Sequence, residues 1–152
     1  MRLRLREGQH RRDGQRLAGS ELFGGLGERE LRVVEAFAHE RRFLAGEVVF
    51  DAGEEGQALY VIVAGRVAVH ADSQATALAE LGPGAFFGEM GLLDDVPRSA
   101  QVRALEPSTL VVLPRTDFER LMASHARIAS SISLQLARHL GRRLRAMLGE
   151  SA

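Results

Sequence analysis

Residues 86–104 read FFGEMGLLDDVPRSAQVRA. An apolar strand end, Phe86-Phe87, gives way to Gly88-Glu89, then to a short apolar turn, then to Pro97-Arg98-Ser99-Ala100 and a further strand. Gly88 has no side chain to keep a ligand away from the backbone. Backbone N–H groups at the start of the turn Glu89–Leu93 suit an anion. Arg98 offers a planar fork that matches phosphate oxygens, and Ser99 adds a hydroxyl donor. Glu89 accepts from hydroxyls and repels phosphate, so it suits a different part of the same ligand. Read from residue chemistry alone, the set fits a ligand with one phosphate and one sugar hydroxyl close together.

Outward from this stretch, residues 43–113 alternate short apolar runs with glycine. The runs are VVF, ALYVIV, RVAVHA, TALAEL, AFF, AQVRAL and TLVVL, and the separators include Gly46, Gly53, Gly56, Gly65, Gly82 and Gly84. Short strands at close spacing with glycine turns predict an antiparallel sandwich or barrel. Gly65-Arg66 predicts a tight hairpin, and Pro83 lies in a turn where its missing N–H does no harm.

Helical periods flank the strands. Residues 28–40 predict a helix, with Gly27 at its cap, Glu28 and Glu30 at its positive end and Leu31, Val34, Phe37 and Ala38 in one stripe. Residues 116–122 predict a short helix opened by Thr116 and Asp117. Residues 126–148 predict a long one, with Ile128, Ile132, Leu136, Leu140, Leu144 and Leu148 repeating every fourth position. Gly141 interrupts it as a kink, a close packing point or a tolerated defect. Residues 1–18 lack a sustained apolar period and predict a mobile basic arm, which leaves 19–149 as one domain.

Composition removes whole classes of function. The 152-residue chain has no Cys, and all 20 of its basic residues are Arg. Disulfides, thiolate nucleophiles and Cys-ligated metal centres are therefore absent. A P-loop, a kinase strand lysine and a Schiff-base amine each require Lys. The five His stand apart with no metal spacing, GGLG at 24–27 is not a dinucleotide fingerprint, and no Ser sits in a nucleophile elbow. We expect no enzyme, no metal and no cofactor. No apolar run is long enough for a bilayer and the first residues lack a signal-peptide core, so the expected location is the cytoplasm, without membrane contact. The overall charge is zero, yet the first 20 residues and the last 27 each carry +4 against −8 in the middle. The bland reading is a solvated arm and a solvated helix face. Direct nucleic-acid binding ranks last, because the arm has no aromatic residue to stack on bases.

With these motifs in place, the chain resembles the cyclic-nucleotide-binding domain family of catabolite activator proteins, cyclic-nucleotide-dependent kinases and cyclic-nucleotide-gated channels. The resemblance runs from about Leu22 to Leu148, through LFGGLGERELRVV, LAGEVVFDAGEEGQALYVIVAGRVAVH, LAELGPGAFFGEMGLLDDVPRSAQVRAL and VLPRTDFERLM. It implies a mainly β fold: an eight-stranded antiparallel β-roll, jelly-roll-like, with an N-terminal helix, a short helix in the phosphate cassette and two C-terminal helices. It also implies residue roles. Glu89 matches the acid on the ribose 2′-hydroxyl and Arg98 the arginine on the cyclic phosphate. Gly88, Met90 and Ser99 match positions completing the phosphate cradle, and Val69 and Leu78 match apolar positions beside the base. Arg143, with Arg142 and His139 close by, falls near the helix position that reaches the base in DNA-binding members. Many members have Thr where this chain has Gln101, which bears on local packing.

The implied function is a cyclic-nucleotide sensor, cAMP favoured over cGMP, with the last helix closing over the base. The alternatives are a protein-interaction module of the same fold without ligand, and the sensor fragment of a larger transcription regulator. The resemblance brings no output domain of its own, which leaves an effector protein of unknown identity or a homodimer through residues 126–148 as the expected partner.

Overall fold

The computed structural model describes residues 16–53, 57–71, 77–93 and 100–149. Eight strands form two four-stranded antiparallel sheets. The first has the order β1 (His39–Phe43), β8 (Ser108–Pro114), β3 (Ala58–Ala64), β6 (Phe86–Phe87). The second has the order β2 (Val48–Phe50), β7 (Ala100–Ala104), β4 (Val67–Ala71), β5 (Ala79–Leu81). Four helices flank the roll: α1 (Glu28–Ala36), α2 (Met90–Leu93), α3 (Arg115–Ser124) and α4 (Ala126–Met147). The eight-stranded antiparallel roll with flanking helices is thus the fold expected from the sequence.

The inner strands of the first sheet are buried on both faces, and their sequences show why. β3 and β8 are nearly continuous apolar runs, ALYVIVA and STLVVLP. Alternate side chains point to opposite faces of a strand. Tyr60, Ile62, Phe87, Leu110 and Val112 therefore face the second sheet, together with Val67, Val102 and Phe50. Leu59, Val61, Phe86, Val111 and Leu113 face the helices, against Phe118, Leu121, Ile128, Ile132 and Leu136.

Three expectations need correction. Helix α1 ends at Ala36, not residue 40. Phe37 and Ala38 close it with N–H bonds to Val34 and Glu35 carbonyls, and His39 already pairs with Val112 of β8. The strand so formed, HERRF, escaped the apolar-run search because four of its five residues are polar. It is an edge strand with mostly exposed side chains. The boundary drawn after Ala18 also moves. Residues 1–15 of the expected arm lie outside the described residues, but Leu17 is 0% exposed and packs with Leu22 and Phe23 in the helix-side core. Arg16 bonds to Glu35 and lies 2.6 Å from Glu40 Oε1. Burial alone favours a neutral guanidinium, yet the two carboxylates outweigh it and hold the Arg16 proton more tightly than usual. Helix α3, finally, begins at Arg115 with Pro114 as cap, one residue before the predicted start.

Two glycines position the elements around the site. Gly65 joins β3 to β4 at φ +91°, a conformation that L side chains rarely adopt. A Cβ there would lie 2.6 Å from Ser108 Cα and 2.7 Å from the Pro107 carbonyl oxygen. Gly84, at φ +92°, lies against the Gly19 carbonyl and accepts a bond from the Glu21 N–H, which ties the N-terminal turn to the roll. Gly141 has open space around it inside α4, which removes the close packing point from its three readings.

Candidate functional site

The two residues of β6 split their rings between the two cores. Phe87 stacks on Tyr60 at 5.0 Å between the sheets, while Phe86 turns toward α4. With both rings anchored, the chain leaves the sheet at a fixed place. Gly88 follows at φ +86°, and this left-handed residue turns the backbone into α2. Gly91 N–H bonds to the Gly88 carbonyl and Leu92 N–H to that of Glu89. Leu92 is buried beneath the turn, while Met90 and Leu93 are about half exposed.

This geometry buries Glu89, whose side chain is only 5% exposed. A buried carboxylate requires partners. They come from α4, fifty and more residues later. Arg143 Nη1 donates to Glu89 Oε1 at 2.8 Å, and His139 Nε2 lies 3.7 Å from the same oxygen. His139 and Arg143 are four residues apart, one helical turn, so both project from one face of α4. The imidazole also rests on the Phe86 ring, with centroids 4.4 Å apart.

The sequence-predicted residues thus fall into groups. Gly88, Glu89 and Met90 are contiguous at the end of β6, and Arg143 joins them through Glu89. Arg143, which the resemblance places near the helix position that reaches the base, has its guanidinium on the carboxylate here. Val69 and Leu78 meet on the second sheet, where the Leu78 N–H bonds to the Val69 carbonyl at 2.7 Å. Val69 is half-buried against the inter-sheet core and Leu78 is exposed. Arg98 and Ser99 lie outside the described residues. Gln101 faces away from the core and donates its amide to Asp51, so the departure at this position is absorbed by a polar surface contact.

His139 is the functional candidate that the resemblance had placed only in Arg143's vicinity. Its signal was its spacing from Arg143, which means nothing until the fold shows a buried acid facing that side of the helix.

The first half of α4 is held by core contacts, as Ile128, Ile132 and Leu136 are buried. Beyond Gly141 every described residue of the helix is exposed, including Leu144 and Met147. The stripe that looked uniform in sequence is therefore two surfaces. Its front packs on the roll, and its rear, apart from Arg143 on Glu89, presents apolar side chains to solvent. Among the described residues no helix is long and apolar enough to cross a membrane.

Comparison with known proteins agrees with this architecture. The cyclic AMP receptor protein of Thermus thermophilus is 38% identical over 127 residues, which cover 82% of this chain and 59% of that protein. A cyclic nucleotide-gated potassium channel of Mesorhizobium japonicum is 38% identical over 125 residues, covering 82% of this chain and 34% of the channel. The crystal structure of a cyclic nucleotide-binding domain from Methylobacillus flagellatus matches with a TM-score of 0.77 at 25% identity, covering 90% of this chain and 78% of that one. The chain spans less than two thirds of both sequence relatives, so the likeness concerns the domain they share. Residues 40–125, more than half of the sequence, match the cyclic nucleotide-binding domain model, and with the β-roll and the acid after Gly88 in place, this chain belongs to the cyclic nucleotide-binding domain family.

Proposed function

We propose that the chain is a cyclic-nucleotide sensor that prefers cAMP to cGMP and does no chemistry on its ligand. The observation that carries this reading is Glu89, a buried carboxylate set just after a left-handed glycine and facing α4. Buried acids are costly unless they serve a partner, and a ribose 2′-hydroxyl is a donor that such an acid recognises. In this reading Arg98 and Ser99 take the cyclic phosphate, with the backbone of Gly88 and Met90 completing the cradle. Val69 and Leu78 flank the base. Arg143, on the helix that closes over the site, exchanges contact with Glu89 for contact with the ligand. The preference for cAMP is supported by the name of the Thermus thermophilus relative. Ser99 also suits a guanine edge, so cGMP is the comparison ligand.

Titration calorimetry with cAMP and with cGMP tests the reading. Binding of either supports it, with cAMP the tighter. Absence of heat and of any thermal shift at millimolar nucleotide removes it. Arg98→Ala should weaken binding by about 1.5–3 kcal/mol, the scale of a charge-assisted bond, and unchanged binding would mean that Arg98 is not in the cradle. The exposed rear of α4 fits a second copy of the chain as the route of output, in the cytoplasm.

A second reading has an observation of its own. The Arg143–Glu89 pair already satisfies the buried acid internally, as an interaction module without ligand would require. No thermal shift with nucleotide, together with a stable complex with another protein, would favour it.

A further inference from the structure

We infer that His139 links nucleotide binding to proton uptake, its imidazolium being a positioning charge for an anionic ligand at Glu89. The inference rests on the sensor reading above. A cyclic nucleotide brings a phosphate charge close to a carboxylate that is itself almost fully buried. The repulsion must be met by cations nearby. In the sensor reading Arg98 takes the phosphate itself; Arg143 is a second cation, on the Glu89 side, but its side chain is 59% exposed and water screens it. His139 is 20% exposed, so a charge on its ring acts through a less polarisable medium.

The ring is also fixed in place. Phe86 supports it from β6, and it lies 3.7 Å from Glu89 Oε1, the oxygen that Arg143 also holds. A protonated ring in this position draws Glu89 toward α4, offsets the incoming phosphate and lies against an aromatic face that favours cations. Among the described residues the charged groups around it are Glu89, from the turn between β6 and α2, and Arg143, from α4 itself; β6 contributes the uncharged Phe86. Among the described residues His139 has no other ionic partner. The other described histidines sit in other surroundings. His39 faces Asp117, His125 contacts Ser124 and Phe37, and His70 lies on β4 of the second sheet.

The sign follows from linkage. A bound anion favours the charged ring, so binding takes up a proton and tightens as the pH falls through the histidine range. The cyclic phosphodiester keeps its single charge throughout that range and adds no slope of its own.

The test is titration calorimetry of the full chain with cAMP from pH 5.5 to pH 8.5, in two buffers of different ionisation heat. Affinity should fall about three- to tenfold across this range, with buffer-dependent heats that report proton uptake. His139→Gln should bind with the weaker affinity and a flattened profile. His139→Arg, which keeps a charge at every pH, should flatten the profile near the tighter affinity. Circular dichroism melts establish that both variants fold. A parent protein with the same affinity at both ends of the range, or a His139→Gln variant with the parental slope, overturns the inference and leaves the sensor reading intact. No binding at any pH refutes the sensor reading itself, and this inference with it.

Discussion

The same small change, adding one methyl group to a glycine, should have opposite effects at two places in this fold. At Gly65 the backbone has φ +91°, which costs an L residue about 1–2 kcal/mol. The new Cβ would lie 2.6 Å from Ser108 Cα and 2.7 Å from the Pro107 carbonyl oxygen. Both are backbone atoms, and Ser108 is held by its pairing with Phe43 of β1, so the clash persists however the Ser108 side chain turns. Overpacking of this kind costs a further ~1–3 kcal/mol. Alanine's smaller unfolded-state entropy returns about 0.4–1 kcal/mol. Gly65→Ala should therefore destabilise by about 1–5 kcal/mol, and lower Tm by about 2–20 °C for a chain of this size. At Gly141 the backbone is helical and a Cβ meets nothing within 4 Å. Gly141→Ala should stabilise by about 0.5–1 kcal/mol and raise Tm by ~1–4 °C. Urea and thermal unfolding, followed by far-UV circular dichroism at one protein concentration, measure both. A Gly65→Ala variant within 1 kcal/mol of the parent would refute the hairpin geometry. A Gly141→Ala variant that loses stability would mean that the rear of α4 is packed against something close, and the open space around it would be wrong.

The divided stripe of α4 makes a second pair. Ile132→Ala, at a fully buried position, should cost about 2–5 kcal/mol in a denaturant melt. Leu144→Ala, at a position 56% exposed, should change monomer stability by less than about 0.5 kcal/mol. If a second copy covers this surface, Leu144→Ala should instead lower the association constant in sedimentation equilibrium. Arg16→Ala should destabilise by about 1.5–3 kcal/mol, because it removes charged bonds to Glu35 and Glu40 that are largely sheltered from water. A loss below about 0.5 kcal/mol would place Arg16 among ordinary surface arginines and detach the turn at Leu17 from the fold.

Much of this protein is written locally. A strand buried on both faces must be apolar throughout, so β3 and β8 announced themselves as runs. A left-handed turn requires glycine, so Gly65, Gly84 and Gly88 marked the strand ends. The acid after Gly88 and the arginine in PRSA suggested a sugar-and-phosphate pair because each residue type suits one part of one ligand, and that pairing belongs to the proposed function. Helix α4 was legible from its four-residue period, to within a residue at its C-terminal end.

What stayed hidden depends on what lies opposite in space. β1 is polar because its side chains face water, and only its pairing with β8 makes it a strand. Arg16 and Leu17 look like part of a basic arm until α1 and β1 bring Glu35 and Glu40 to the guanidinium and the helix-side core closes over the leucine. The period of α4 runs evenly past Gly141, but the roll is short enough to bury only its first half. Above all, Glu89 and its partners His139 and Arg143 are separated by at least 50 residues of chain. A sequence shows which side chains share a helix face or follow a strand; it does not show which buried carboxylate that face will meet. That meeting is decided by how α4 lies beside β6, where the His139 imidazole rests on the Phe86 ring and faces Glu89.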